Sequence, residues 1–115
     1  MATFDQRDQK VTYQYNADVI NLTNVSNRAE LVRQIENIGA EVERASNLNA
    51  IETSDALKVK TSLKAAAEEA KTATPNKSKI ISMLETAGDI VKGAKALADL
   101  YSAIRKAIGL VGTLF

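Results

Sequence analysis

The side chains in this sequence that could do chemistry are carboxylates, hydroxyls and amines, because histidine and cysteine are both absent. Without cysteine there is no thiol nucleophile, thiolate metal site or disulfide. Without histidine the commonest general base and the commonest metal ligand are missing. Carboxylates pair in sequence at Glu41 with Glu43 and at Glu68 with Glu69. Helix neighbours one or two positions apart point in different directions, so these read as solvated charges and not as an acid–base pair. Serines and threonines are plentiful, yet a Ser-His-Asp triad is excluded. Gly88, Gly93, Gly109 and Gly112 follow no strand and precede no Gly-Lys-Ser/Thr, so they make no phosphate-binding loop. No acidic loop carries calcium-ligand spacing. The expectation is a protein that is not an enzyme, with no catalytic, cofactor-binding or metal-ligating residues.

The elements that would position any other kind of site come from the rest of the chain. Its 115 residues are 45% apolar and 25% charged, with one proline, the profile of a single folded, helix-rich domain. Aromatic residues are scarce, so the core must be built from Leu, Ile, Val and Ala. A net charge of +1 lacks the basic bias of a nucleic-acid binder. No run of about eighteen uncharged apolar residues offers a membrane span. The first residues lack the basic-then-apolar order of a signal peptide, and the chain is expected to be soluble and cytoplasmic.

From Lys10, Val11, Tyr13 and Tyr15 alternate with Thr12 and Gln14, a period of two that predicts a strand. Asn16-Ala17-Asp18 interrupts it with turn-favouring residues. Val19, Ile20 and Leu22 then carry a second short run. The expectation is a β-hairpin or β-arch over about 10–24, the core of an assembly segment 1–26 that precedes a helical bundle over 27–115. An isolated two-stranded hairpin is marginal in water, and its edges carry no proline and few charges to block pairing. Either it lies on its own bundle or strands of neighbouring subunits pair with it. Gln9, Gln14, Asn16 and Asn21 would form amide ladders in a stack of identical chains. Tyr13 and Tyr15 beside Lys10 could stack bases, but with so few cations nearby they read as core or interface aromatics.

Asn27 followed by Glu30 has the form of a capping box and opens a helix over about 28–48. Leu31, Val32, Ile35, Ile38, Val42, Ala45 and Leu48 fall on one face, and Arg33, Glu36, Glu43 and Arg44 on the other. Thr53-Ser54-Asp55 offers a second N-cap cluster for a helix over about 54–73, which carries Val59, Leu63, Ala66 and Ala70 inward. Thr74 as N-cap and Pro75 at the first helical position start the last third, about 75–114.

That last third repeats every seven residues. Ile80, Ala87, Ala94, Tyr101, Ile108 and Phe115 form one row, and Met83, Ile90, Leu97, Ile104 and Val111 a second. Because the phase runs through Gly88 and Gly93, one bent helix is the favoured expectation, with its distal half left to pack on another subunit. A break near 88–93 would instead give four helices and an up-down bundle. The uncharged run 107–115 behind Arg105-Lys106 could also touch a membrane as an amphipathic end, although burial between subunits explains the same apolarity.

The order of parts, from the amide-rich stretch Gln9-Lys10-Val11-Thr12-Tyr13-Gln14-Tyr15-Asn16 through a charged helix pair and a Thr-Pro hinge to an apolar C-terminal helix, resembles small uncharacterised bacterial proteins, cyanobacterial ones among them. These join a short β stub to a helical bundle and are similar to oligomerising or effector-associated modules. The resemblance implies assembly or recruitment and supplies no site residues. The leading expectation is a structural, self-assembling homo-oligomer, ring or filament. Val11, Tyr13, Tyr15, Val19, Ile20 and Leu22 would pair between chains, and Leu97, Tyr101, Ile104, Ile108, Val111 and Phe115 would pack against neighbouring helices. The alternatives are an adaptor that binds a different protein and a membrane-active helical protein.

Overall fold

The computed structural model describes Ile20, Leu22 and residues 25–115. Most of the predicted β segment, 10–24, therefore lies outside the described residues. Four helices follow: α1 (Arg28–Asn47), α2 (Thr53–Ala70), α3 (Lys77–Lys92) and α4 (Ala98–Leu114). Their connections, 48–52, 71–76 and 93–97, are short, and short connections make sequential helices antiparallel neighbours. α1 packs on α2, α2 on α3, α3 on α4, and α4 back on α1. The result is a closed up-down-up-down four-helix bundle.

α1 and α3 start where an asparagine side chain satisfies a backbone donor left without a partner. Asn27 is extended, and its Oδ1 accepts the Glu30 N–H at 2.9 Å. Glu30 reaches back one residue further than a capping box requires, accepting the N–H and hydroxyl of Ser26 at 3.0 and 3.2 Å. The starts of α2 and α3 differ from expectation. Glu52, and none of the Thr53-Ser54-Asp55 cluster, stands at the α2 N-cap, without a side-chain cap bond. At α3 the cap is Asn76, whose Oδ1 accepts the Lys79 N–H at 3.1 Å. Pro75 thus precedes the cap and does not open the helix. Glu69, near the end of α2, accepts the Asn76 N–H at 3.0 Å and ties the connection down.

The favoured single bent helix over 75–114 is corrected by the structure: the chain turns back at 93–97. Gly93 ends α3, with its N–H on the Ile90 carbonyl. Ala94 is extended, and a single 3-10 turn, Lys95–Leu97, leads into α4. Leu97, fully buried, fills the corner. The seven-residue phase concealed this turn because burial slips by one position across it. In α3 the buried row is Ile80, Leu84, Ala87 and Val91. Continued by sevens, Ile80 and Ala87 lead to Ala94, Tyr101 and Ile108, which are only half-buried. The buried α4 positions Leu100 and Ala107 come one residue earlier, alongside Ile104 and Val111. The apolar stripe is wide enough to hold both phases. At Gly88 the two helices come close: a Cβ there would lie 3.4 Å from Ile104 Cγ2 and 3.7 Å from the Tyr101 ring.

The core holds the expected faces of α1 and α2, together with Ala56 and Ala67. Leu48 is the exception, 38% exposed just beyond the α1 terminus. Large side chains such as Leu31, Ile38, Leu63, Leu84 and Ile104 are fully buried, and each contributes about 1.5–3 kcal/mol through lost contact with water. Leu84→Ala should therefore lower unfolding stability by about 2–5 kcal/mol and Asn76→Ala by about 1 kcal/mol, both read as shifts of the urea midpoint.

Candidate functional site

The residues nominated from sequence separate into two groups once the bundle is closed. Ile20 is only 4% exposed and belongs to the core of its own chain, with Leu22 half-buried against it. Val11, Tyr13, Tyr15 and Val19 lie outside the described residues. Of the six helical positions, Leu97, Ile104 and Val111 are fully buried inside the bundle. Tyr101, Ile108 and Phe115 flank the core half-buried, and they alone of the six reach the surface. The physical reason is the turn at 93–97, which supplies from within the chain the partner that a single long helix would have lacked.

The end of α4 is held by cations from two other helices. Arg28 Nε donates to the Leu114 carbonyl at 2.8 Å, and its guanidinium stands 4.8 Å from the centroid of the Phe115 ring. Lys77 Nζ donates to the Gly112 carbonyl at 3.1 Å. The last carbonyls of a helix lack intrahelical partners and carry its negative pole, so a guanidinium and an ammonium arriving from the starts of α1 and α3 answer both needs. The apolar run 107–115 is thereby docked on the bundle through Ala107, Val111 and the half-buried Leu110 and Leu114.

Hollows open on the surface of the described residues, and two of them bear on function. One, of about 640 Å³, lies where the α1–α2 connection meets the α3–α4 turn, lined by residues 49–53, Asp55, Ile90, Gly93 and Ala94. Asn49 there adopts φ 62°, a left-handed conformation that asparagine tolerates better than most residues. The other, of about 420 Å³, is a groove between α1 and α2. Ile35, Leu63 and Ala67 form its floor, and Gly39 and Ala40 leave it without side-chain bulk on the α1 side. A Cβ on Gly39 would meet nothing within 4 Å.

Charges line the groove by helix. Glu36 and Glu43 stand on the α1 wall, Lys60, Lys64 and Glu68 on the α2 wall. Lys60 Nζ lies 2.6 Å from Glu43 Oε1, and Lys71 Nζ 2.8 Å from Glu36 Oε2. The hydrogen bond from Lys60, then its charge, holds the Glu43 carboxyl below its usual range. Glu36 likewise raises the Lys71 ammonium, first by its hydrogen bond and then by its charge. Lys60 and Lys71 thus bind α2 to α1.

The carboxylate neighbours do not converge. Glu41 is buried at 4% exposure and paired with Arg44 at 2.9 Å, whereas Glu43 is exposed and paired with Lys60. Glu69 turns to the Asn76 N–H and to Lys79 Nζ, 3.4 Å away, while Glu68 lines the groove. Among the described residues no three His, Cys, Asp or Glu side chains come together as a metal site. No described helix is long and apolar enough to cross a membrane. No protein-family model, curated protein or solved structure matches the chain.

Removing the Arg28 side chain (Arg28→Ala) should cost about 1 kcal/mol through the lost carbonyl bond and ring contact, measurable by urea unfolding. The carboxyls of Glu30, Glu43 and Glu69 are all lowered from 4.5 in the folded chain, chiefly by hydrogen bonds from the Ser26 N–H, Lys60 and the Asn76 N–H respectively. Their stabilisation is complete above that value and lost as pH falls through the lowered folded values. The urea midpoint should therefore fall as pH is taken below 4.5, and Glu69→Gln should flatten that fall.

Proposed function

We propose that this protein is a structural, self-assembling component: a homo-oligomer, ring or filament in which the four-helix bundle is the body and residues 10–24 pair between chains. The observation that supports this reading is the burial of Ile20 in the bundle core with Leu22 packed beside it. The alternating, amide-rich stretch is thereby joined to a rigid body by a fixed end, which lowers the entropy lost when it pairs with another copy. The bundle core closes within one chain, so assembly works through surfaces outside that core. Buried Leu97, Ile104 and Val111 take no part in it; exposed parts of Tyr101 and Ile108 remain available.

The same closed core favours a second reading, a small adaptor that stands as a monomer and captures a different protein. Light scattering on a size-exclusion column, with electron microscopy of the same fraction, separates the two. Self-assembly gives a mass several times that of one chain, and Tyr13→Pro, which removes a strand donor, reduces it. A wild-type chain that elutes at the mass of one copy leaves the adaptor.

A further inference from the structure

The groove between α1 and α2 has three properties that point the same way. Its floor is apolar, with Ile35, Leu63 and Ala67 beneath the opening. Gly39 sits mid-helix, where glycine weakens a helix by about 1 kcal/mol against alanine, although nothing among the described residues occupies the space a Cβ would take. Its charges are mostly sorted: the α1 wall is acidic through Glu36 and Glu43, and the α2 wall carries Lys60 and Lys64 against a single acid, Glu68, with Lys71 just beyond.

We propose that this groove is the face on which two copies of the chain associate, related by a two-fold axis running along the groove. It rests on the self-association reading above but not on residues 10–24. A two-fold axis in that direction lays α1 of one copy over α2 of the other at the same level, antiparallel, as within one chain. Glu43 then meets Lys60 of its own chain and the same lysine of the second copy, and Glu36 meets Lys71 at the opposite end, where Glu68 is the one acid on the α2 side. A two-fold axis across the groove would instead set α1 on α1, acidic on acidic, which like charges oppose. The absent side chain at Gly39 lets the second copy approach the apolar floor. Helices of this length, about 27 Å, present an area at the low end of specific interfaces, so the pair forms in a concentration-dependent way and weakens as salt screens the walls.

The test uses the full chain carrying Tyr13→Pro as parent, followed by sedimentation equilibrium at low salt up to about 1 mM chain, the weak end of specific binding. Lys60→Glu with Lys64→Glu makes both walls acidic, and Glu36→Lys with Glu43→Lys makes both basic. The expected result is that the parent dimerises, each variant alone is monomeric, and an equal mixture of the two recovers the dimer. Exposed ion pairs are worth little to folding, and circular dichroism confirms that the variants remain helical. As a second variant, Gly39→Leu should raise the thermal midpoint while abolishing the dimer. A monomeric parent, a charge variant that dimerises like the parent, or a mixture that stays monomeric overturns the proposal. If the wild type associates and the Tyr13→Pro parent does not, the groove reading fails and the pairing of 10–24 stands. If both associate alike and the charge variants dissociate both, the reverse holds.

Discussion

The ring of four helices is closed by the contact of α4 with α1, and the rest of the structure depends on that closure. Helices of 16–20 residues draw most of their stability from packing one apolar face, not from intrinsic propensity. α2 and α3 each have two neighbours by direct succession, whereas α1 and α4 would each have one if the chain did not come round. The turn at 93–97 makes the difference. It uses no left-handed residue: Gly93 and Ala94 both have negative φ. What holds it is the pair of backbone bonds to Ile90 and Val91 and the burial of Leu97.

Electrostatics plays the smaller part in stability and the larger part in alignment. The pairs Lys60–Glu43 and Lys71–Glu36 are solvent-exposed, and such pairs contribute at most about 1 kcal/mol each. They nonetheless fix the level at which α2 lies against α1, because each joins residues that only one antiparallel register brings together. Arg28 and Lys77 do the same at the end of α4, where their amines meet carbonyls that the helix itself leaves open.

Much of this fold was legible from residue spacing. The inward faces of α1 and α2 appear at the expected positions, and the Asn27 cap was visible because its side chain and Glu30 stand at a spacing that only a helix start explains. The α3–α4 turn was hidden for a physical reason: a stripe containing Ile80, Leu84, Ala87, Val91, Leu97, Tyr101 and Ile104 supports two helical phases at once, and periodicity cannot see a slip of one residue inside it. Thr74-Pro75 misled by two positions because Asn76, a stronger cap, follows it. The α1–α2 groove left a weaker trace. Gly39 and Ala40 read as unremarkable members of a polar face, and the sorting of acid and base between two helices becomes visible only when both are placed side by side. The capture of Ile20 by the core was similarly out of reach, since alternation assigned it to a strand.

The connection of Arg28 to Leu114 spans 86 positions of sequence, and it has a consequence for how the protein is made. A ribosome releases α1 first and α4 last of the four. At about 5–20 residues per second, the segment 93–115 takes roughly 1–5 s to synthesise, and during that time three helices exist without the fourth. Through that interval α1 and α3 lack a flank, and their apolar side chains that face α4 are less well covered than they will be. The nascent chain is therefore most exposed to chaperones, and to neighbouring nascent copies on the same messenger, just before its last helix emerges.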